Sequence, residues 1–243
     1  MWQAFLQAFD LLGTFDDKVL NIVLVSLQVS VTALLIGCLI GLPLGAFIAV
    51  KKFRGRQIIV VILNSLMGVP TVIVGVVIYL LLSRSGPLGS LGWLFTAKGM
   101  TLAQVLLTTP LIAALTRQII EDGYTTHGDT FKALRLPTLA QLKWLVWDCR
   151  FSLSIAVLAG FARAISEVGA VMIVGGNIDR STRTMTTAIA LETSKGDLPL
   201  ALSLGIVLLL IVLIANTLTS WLKSIAERDR KSTRLNSSHV KRS

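Results

Sequence analysis

Long runs of apolar residues alternate with short polar stretches along this chain. Five runs are long enough to cross the apolar core of a bilayer as helices, which takes about 20 residues each. They cover residues 20–50, 58–82, 100–120, 151–174 and 198–222. The pattern predicts an all-α integral membrane protein with about five transmembrane helices.

The composition supports a membrane location. Of the 243 residues, 53% are hydrophobic and 15% are charged, whereas soluble domains carry about 25% charged residues. The formal net charge is +10. In a membrane protein such an excess reflects basic loops at the cytoplasmic surface, so we expect the lipid bilayer, and no nucleic acid, to be a partner.

Glycine and proline occur inside several of the apolar runs. The first run carries Gly37, Gly41, Pro43 and Gly45 in its second half. We expect that run to kink or break there. The second run carries Gly68, Pro70, Thr71 and Gly75. These four residues predict either close helix packing or a kink that serves as a gate.

Lysine and arginine are distributed unequally between the two sets of loops. Twelve lie on one side of the predicted membrane and six on the other. Because basic loops stay in the cytoplasm, the pattern predicts an outside N-terminus and a cytoplasmic C-terminus. The location that follows is the bacterial cytoplasmic (inner) membrane, with several crossings.

The two ends of the chain differ from the part between them. Residues 1–18 place apolar side chains on one helical face and predict a short interfacial helix. Residues 19–225 form the predicted transmembrane domain. The last 13 residues, 231–243, carry four basic and no acidic residues. They have the composition of a non-native, cloning-derived tail, the alternative being a native basic tail on the membrane surface.

Two ionisable residues lie near the middle of the fourth run. Arg163 and Glu167 are four residues apart, so on one helix they share a face. Charges at that depth cost roughly 3 kcal/mol or more and need a partner or a water-filled path. The pair is either a transport element or a structural ion pair.

A polar segment, GGNIDRSTRTMTTAIALETSKGD (residues 175–197), follows this run directly. Its candidate mouth or pathway residues are Asn177, Arg180, Thr182, Arg183 and Thr184. Arginine suits a tetrahedral oxyanion because its guanidinium offers parallel donors. The alternatives are docking of a partner protein and ordinary surface charge. Residues 185–192 predict a short re-entrant or interfacial helix.

The loop 121–149 is the longest predicted cytoplasmic segment. Its leucines form two short amphipathic stretches that break near Leu136 and Pro137. Such helices bury their apolar face against a partner protein or against the lipid surface.

These features together resemble the membrane subunits of bacterial ATP-binding-cassette (ABC) importers. In place of that family's Glu-Ala-Ala-x-x-x-Gly loop pattern stands the run 129–135, with Asp129 at the acid and Arg135 at the glycine. The segments 63–96 and 156–205 are similar to permeases for tungstate, and to their molybdate and sulfate relatives. The resemblance covers most of residues 15–225 and implies the type I importer architecture.

The resemblance also implies partners. A coupling helix would dock on a cytoplasmic ATPase subunit dimer, which holds ATP and magnesium. The residues that would form it are Asp129, Phe131, Ala133, Leu134, Arg135, Leu136, Pro137 and Leu139. An extracellular oxyanion-binding protein would deliver the substrate, which the resemblance implies is tungstate, to a dimer of this chain.

Catalytic chemistry is not expected on this chain. The sequence has no Gly-Lys dipeptide and therefore no phosphate-binding Gly-x-x-x-x-Gly-Lys motif. Cys38 and Cys149 are too far apart for a metal or disulfide motif. We expect a transport subunit without catalytic residues, cofactor or metal. The alternatives are a molybdate or sulfate permease, a stand-alone gradient-driven anion carrier and a membrane scaffold.

Overall fold

The computed structural model describes residues 17–240, with side chains up to Ser224. The predicted interfacial helix therefore lies almost entirely outside the described residues. Nine α-helices follow one another in the described part, with one 3-10 turn at Gly89–Leu91 and no strand. They are α1 Asp17–Val50, α2 Arg56–Met67, α3 Thr71–Leu82, α4 Ala97–Ala133, α5 Thr138–Asp148, α6 Arg150–Ile165, α7 Gly169–Gly175, α8 Met185–Lys195 and α9 Leu198–Val240.

The all-α membrane fold is confirmed. Helices α1, α4 and α9 are each long and apolar enough to cross a bilayer. Two bent pairs reach the same length: α2 with α3 at 99°, and α5 with α6 at 74°. The described residues thus hold three to five candidate spans, and the predicted number of five is reached if each bent pair crosses once.

The break that the sequence offered as one alternative in the first run is absent. Helix α1 continues without a break from Asp17 to Val50, with Pro43 inside it. The glycines serve packing instead: Gly37, Gly41 and Gly45, four residues apart, are all buried. This spacing puts them on one face of the helix, where small residues let two membrane helices approach closely.

Helix α4 is the element that packs on this glycine stripe. A Cβ atom on Gly41 would lie 3.1 Å from the carbonyl oxygen of Thr109, and one on Gly45 would overlap the carbonyl oxygen of Ala113. Gly37 faces Thr108. The contacts advance in the same direction along both helices, so α1 and α4 run parallel.

The fourth apolar run does not form one helix. Helix α6 ends at Ile165, and α7 begins at Gly169 after a short break. The predicted loop 121–149 is also largely helical, because α4 continues to Ala133 and α5 fills residues 138–148. The break expected near Leu136 and Pro137 is present, between these two helices.

We predict that Gly45→Ala destabilises the protein by about 1–3 kcal/mol, because the added methyl group forces α1 away from α4. Gly205→Ala in α9 is the matched control, since a Cβ atom there meets nothing within 4 Å. That control should be neutral or stabilising by up to about 1 kcal/mol. Thermal unfolding in detergent measures both, and equal midpoints would contradict close packing at Gly45.

Candidate functional site

Two helix breaks lie side by side within the bundle. The first, Gly68–Pro70, separates α2 from α3, and the second, Ser166–Val168, separates α6 from α7. A Cβ atom on Gly169 would lie 3.0 Å from the hydroxyl oxygen of Thr71, and one on Gly75 would lie 2.8 Å from the Cα atom of Ala170. Helices α3 and α7 therefore run parallel and in close contact, both starting at a break.

The predicted gate residues thus differ in what they do. Gly75 is buried and has no room for a side chain. Gly68 is exposed, with its nearest neighbour for a Cβ atom at 3.6 Å, and it ends α2. Pro70 is the N-cap residue that precedes α3, with a φ angle of −58°. Close packing and a kink, stated as alternatives from the sequence, are both present at different residues.

Side chains from two other helices satisfy the backbone of the second break. The amide Nε2 of Gln104 on α4 donates to the carbonyl of Ala164 at 3.0 Å. The hydroxyl of Thr186 on α8 donates to the carbonyl of Glu167 at 2.7 Å. A free carbonyl inside a bilayer costs several kcal/mol, so these two bonds allow a non-helical segment at this depth.

The side chain of Glu167 is the third element that holds the break. Its Oε2 accepts from Arg163 Nη1 at 2.9 Å, and its Oε1 accepts from the backbone amide of Ala170 at 3.1 Å. The Glu167 side chain is 3% exposed, whereas that of Arg163 is 35% exposed. Glu167 lies just beyond α6, so the pair bridges the end of one helix and the first turn of the next.

The segment after α7 is folded by its own polar side chains. The Thr182 hydroxyl donates to the carbonyl of Gly175 at 2.6 Å and accepts from the amide of Ile178 at 3.0 Å. Asn177 Nδ2 donates to the carbonyl of Thr187 at 3.3 Å. Thr184 caps α8 in a capping box with Thr187. Helix α8 confirms the short helix predicted over residues 185–192.

The two arginines of this segment differ in exposure. Arg183 is largely buried and pairs with Asp179 at 2.9 Å and with Glu192 at 3.7 Å. Arg180 is exposed, takes a positive φ of 56° and lines a surface pocket of about 350 Å³. Lys18 and Asn21 of α1 line the same pocket, so it lies at the end of the bundle where α1 begins.

Helix α4 ends in a Schellman motif at the predicted coupling segment. The amide of Arg135 donates to the carbonyl of Lys132 at 3.1 Å. The amide of Leu136 donates to the carbonyl of Phe131, also at 3.1 Å. Arg135 takes the left-handed conformation, with φ 49°. Glycine normally fills this position without strain, so Arg135 adopts a backbone conformation that favours glycine.

The predicted coupling residues separate into a buried and an exposed group. Phe131 is buried, and Leu136 packs against its cluster. Leu134 and Leu139 are each 65% exposed, and Asp129 pairs with Lys132 at 3.0 Å at the surface. Ala133, Arg135 and Pro137 complete the turn, with Pro137 preceding α5. The result is a helix–turn–helix whose outer surface carries two unpartnered leucines.

An ion-pair network fixes the same end of α4 to α2. Glu121 accepts from Arg117 at 2.5 Å through Oε2, and from Arg56 through Oε1. Arg56 Nε also donates to the carbonyl of Ile48 at 2.8 Å. The ends of α1, α2 and α4 are therefore held together next to the coupling segment.

Several residues of the site were not predicted from the sequence. Gln104, Ser26 and Glu121 were missed, although Gln104 is an amide within an apolar run and gave a usable signal. Ser26 accepts the first amide of α8, from Met185, at 2.7 Å. Among the described residues, no group of three or more His, Cys, Asp or Glu could hold a metal ion.

This arrangement is that of a polytopic transport protein: two broken membrane helices in contact, and an amphipathic surface at one end for a partner. Comparison with curated proteins gives the family. The chain is 42% identical over 214 residues, or 88% of its length, to the tungstate uptake system permease protein TupB of Peptoclostridium acidaminophilum, of which 94% is covered.

Further relatives agree with this match. TupB of Campylobacter jejuni is 37% identical over 92% of this chain and 93% of its own length. A probable anion ABC transporter permease of Haloferax volcanii is 37% identical over 82% of this chain and 88% of its own length. Permeases named for sulfate and molybdenum transport match more weakly. No family model matches the chain.

The chain belongs to the family of ABC anion-transporter permeases that includes these tungstate uptake permeases. It is therefore a multi-pass membrane subunit that transports and is not itself an enzyme. The resemblance drawn from the sequence is confirmed. The roles given to individual residues remain predictions.

We predict that Glu167→Gln lowers stability by about 1–3 kcal/mol, because Arg163 loses its charged partner. Adding Arg163→Met should restore part of that loss, since the Gln oxygen still accepts from Ala170. The stability lost in Glu167→Leu should not be restored by Arg163→Met, because the Ala170 amide stays unpaired. Thermal unfolding distinguishes the cases; full recovery of the Leu variant would refute the capping role.

We predict that Arg135→Gly raises stability by about 1 kcal/mol, because glycine adopts the left-handed conformation without the steric cost of a Cβ atom. Arg135→Ala removes the same charge but keeps that cost, so it serves as the control. If both variants gain equally in thermal unfolding, the gain comes from the lost charge and the conformational explanation fails.

Proposed function

We propose that this chain forms the translocation path of an ATP-driven tungstate importer, as a dimer with a separate ATPase subunit. The observation that carries the proposal is the contact between the two breaks, at Gly169 with Thr71 and at Gly75 with Ala170. A path must open and close, and two short helices that begin at adjacent breaks form a unit that can rotate together.

The exposed surface at the breaks supports a path shared by two copies. Ser166 and Val168 are exposed beside the buried Glu167, and apolar side chains of α2 and α3, including Ile58, Val61 and Val72, are exposed as well. One copy offers too little polar surface to enclose a hydrated dianion. A two-fold axis that places two such surfaces opposite each other completes the path.

The tungstate assignment rests on the two relatives that carry that name at 42% and 37% identity. Molybdate and sulfate are the second candidates, because they share the charge and tetrahedral shape of tungstate. Arg180 is the predicted mouth residue best placed to meet an anion, since it is exposed while Thr182 and Thr184 are buried in internal hydrogen bonds.

We propose the orientation that the basic loops predict, with the coupling segment in the cytoplasm. The Arg180 pocket and the coupling segment then lie on opposite membrane faces, because α1 begins at the first and ends near the second. A binding protein would deliver the anion at the Arg180 face. ATP and magnesium would be held by the ATPase at the other.

Reconstitution in liposomes tests this function. Tungstate uptake, measured as metal content, should require this chain, its ATPase subunit, its binding protein and ATP inside the lumen. Competition by molybdate and sulfate ranks the three anions. Uptake by this chain alone, driven by a proton gradient, would identify a stand-alone carrier and reject the proposal.

We predict that Leu139→Asp reduces ATP-dependent uptake at least tenfold, because it places a charge in the apolar contact with the ATPase. Leu91→Asp is the matched control: it is also an exposed leucine, 44% against 65%, but lies in the 3-10 turn outside the coupling segment. Both variants should fold normally. Equal uptake by the two would argue against docking at Leu139.

A further inference from the structure

An apolar groove runs along the bundle away from the two breaks. Its first chamber, of about 830 Å³, lies between the end of α1, α5 and α6. A second chamber of about 570 Å³ continues between α6 and α9. Leu42, Val146 and Leu153 line both chambers, so they form one continuous groove.

The groove ends at a basic and aromatic rim. Lys143 lines the first chamber and Arg150 lines the second, and both are exposed. The Arg150 guanidinium stacks on the rings of Trp147 and Phe151 at 5.0 and 4.6 Å, which holds it at the rim. Trp147 and Trp221 are 72% and 61% exposed, as is usual for tryptophan at a membrane–water interface.

The two cations at this rim have no ion-pair partner in the part of the chain whose side chains are described. No carboxylate among the described side chains lies within ion-pair distance of Lys143 or Arg150. Asp148, between them in sequence, faces His127 instead at 3.8 Å. Two cations above an apolar groove call for a ligand with an anionic head and a long apolar tail.

We propose that this groove binds an anionic phospholipid, with its acyl chains against Leu42, Val146 and Leu153 and its phosphate between Lys143 and Arg150. The occupant follows from the surroundings, because a bilayer supplies molecules with an anionic head and apolar chains. The lipid would join α1, α5, α6 and α9, and so hold α5, which begins within the predicted coupling residues, against the bundle.

Native mass spectrometry of the purified chain in detergent tests this, with phosphatidylglycerol and phosphatidylcholine of identical acyl chains as probes. We expect about tenfold tighter binding of phosphatidylglycerol, since each basic residue near the headgroup favours an anionic lipid. Lys143→Gln with Arg150→Gln should reduce the preference to within about twofold. The experiment involves neither tungstate nor the ATPase, so it stands apart from the proposed function.

Lys52→Gln with Arg54→Gln is the matched control. It removes two exposed charges from the α1–α2 connection, outside the groove lining, and should keep the tenfold preference. Val146→Trp, at an exposed position of the groove wall, should weaken binding of both lipids at least fivefold with both cations in place.

Three results would overturn the proposal. They are equal affinity for both lipids in the unchanged chain, an equal loss of the lipid preference in the Lys52→Gln and Arg54→Gln control, and unaltered lipid binding by Val146→Trp. If Val146→Trp instead converts a dimer to a monomer while lipid binding is absent, the groove is an interface between two copies.

Discussion

The close approach of α1 to α4 at Gly37, Gly41 and Gly45 is the contact on which the rest of this fold depends. Inside a bilayer apolar side chains gain nothing by leaving lipid, so helices associate through close packing and hydrogen bonds. The glycine stripe brings two backbones together, and Gly160 of α6 packs on Ile112 of the same α4. Helix α4 therefore lies at the centre of the bundle, in close contact with both α1 and α6.

Hydrogen bonds from α4, α1 and α8 hold the broken helices in place. Gln104 of α4 bonds to the end of α6, and Ser26 of α1 bonds to the start of α8, whose Thr186 bonds to the break. Helix α7, with seven residues, is too short to be stable by itself. These bonds, the Glu167 cap and the contact with α3 stabilise α7 in the conformation described here.

Apolar run lengths were enough to predict the fold class and the approximate spans, because bilayer thickness dictates them. The break at Leu136–Pro137 and the contact of Arg163 with Glu167 also follow from local rules. The continuity of α1 does not follow from local rules. Gly37, Gly41 and Gly45 lower helix propensity, and only the structure shows that they pack against α4. Gln104 and Thr186 act across 60 and 19 residues, a distance that no local pattern encodes. The left-handed conformation of Arg135 could not be predicted from the residue type, because arginine favours the right-handed region.

We expect the exposed side of the second break to line a water-filled path. Thiol labelling of Ser166→Cys, with Cys38 and Cys149 replaced, tests it most directly in the assembled transporter. A water-soluble, membrane-impermeant reagent should modify position 166 and should do so more slowly when tungstate is transported. Leu209→Cys, exposed on α9, should stay unmodified as a lipid-facing control. An unreactive position 166, or labelling equal to that at position 209, would contradict the account.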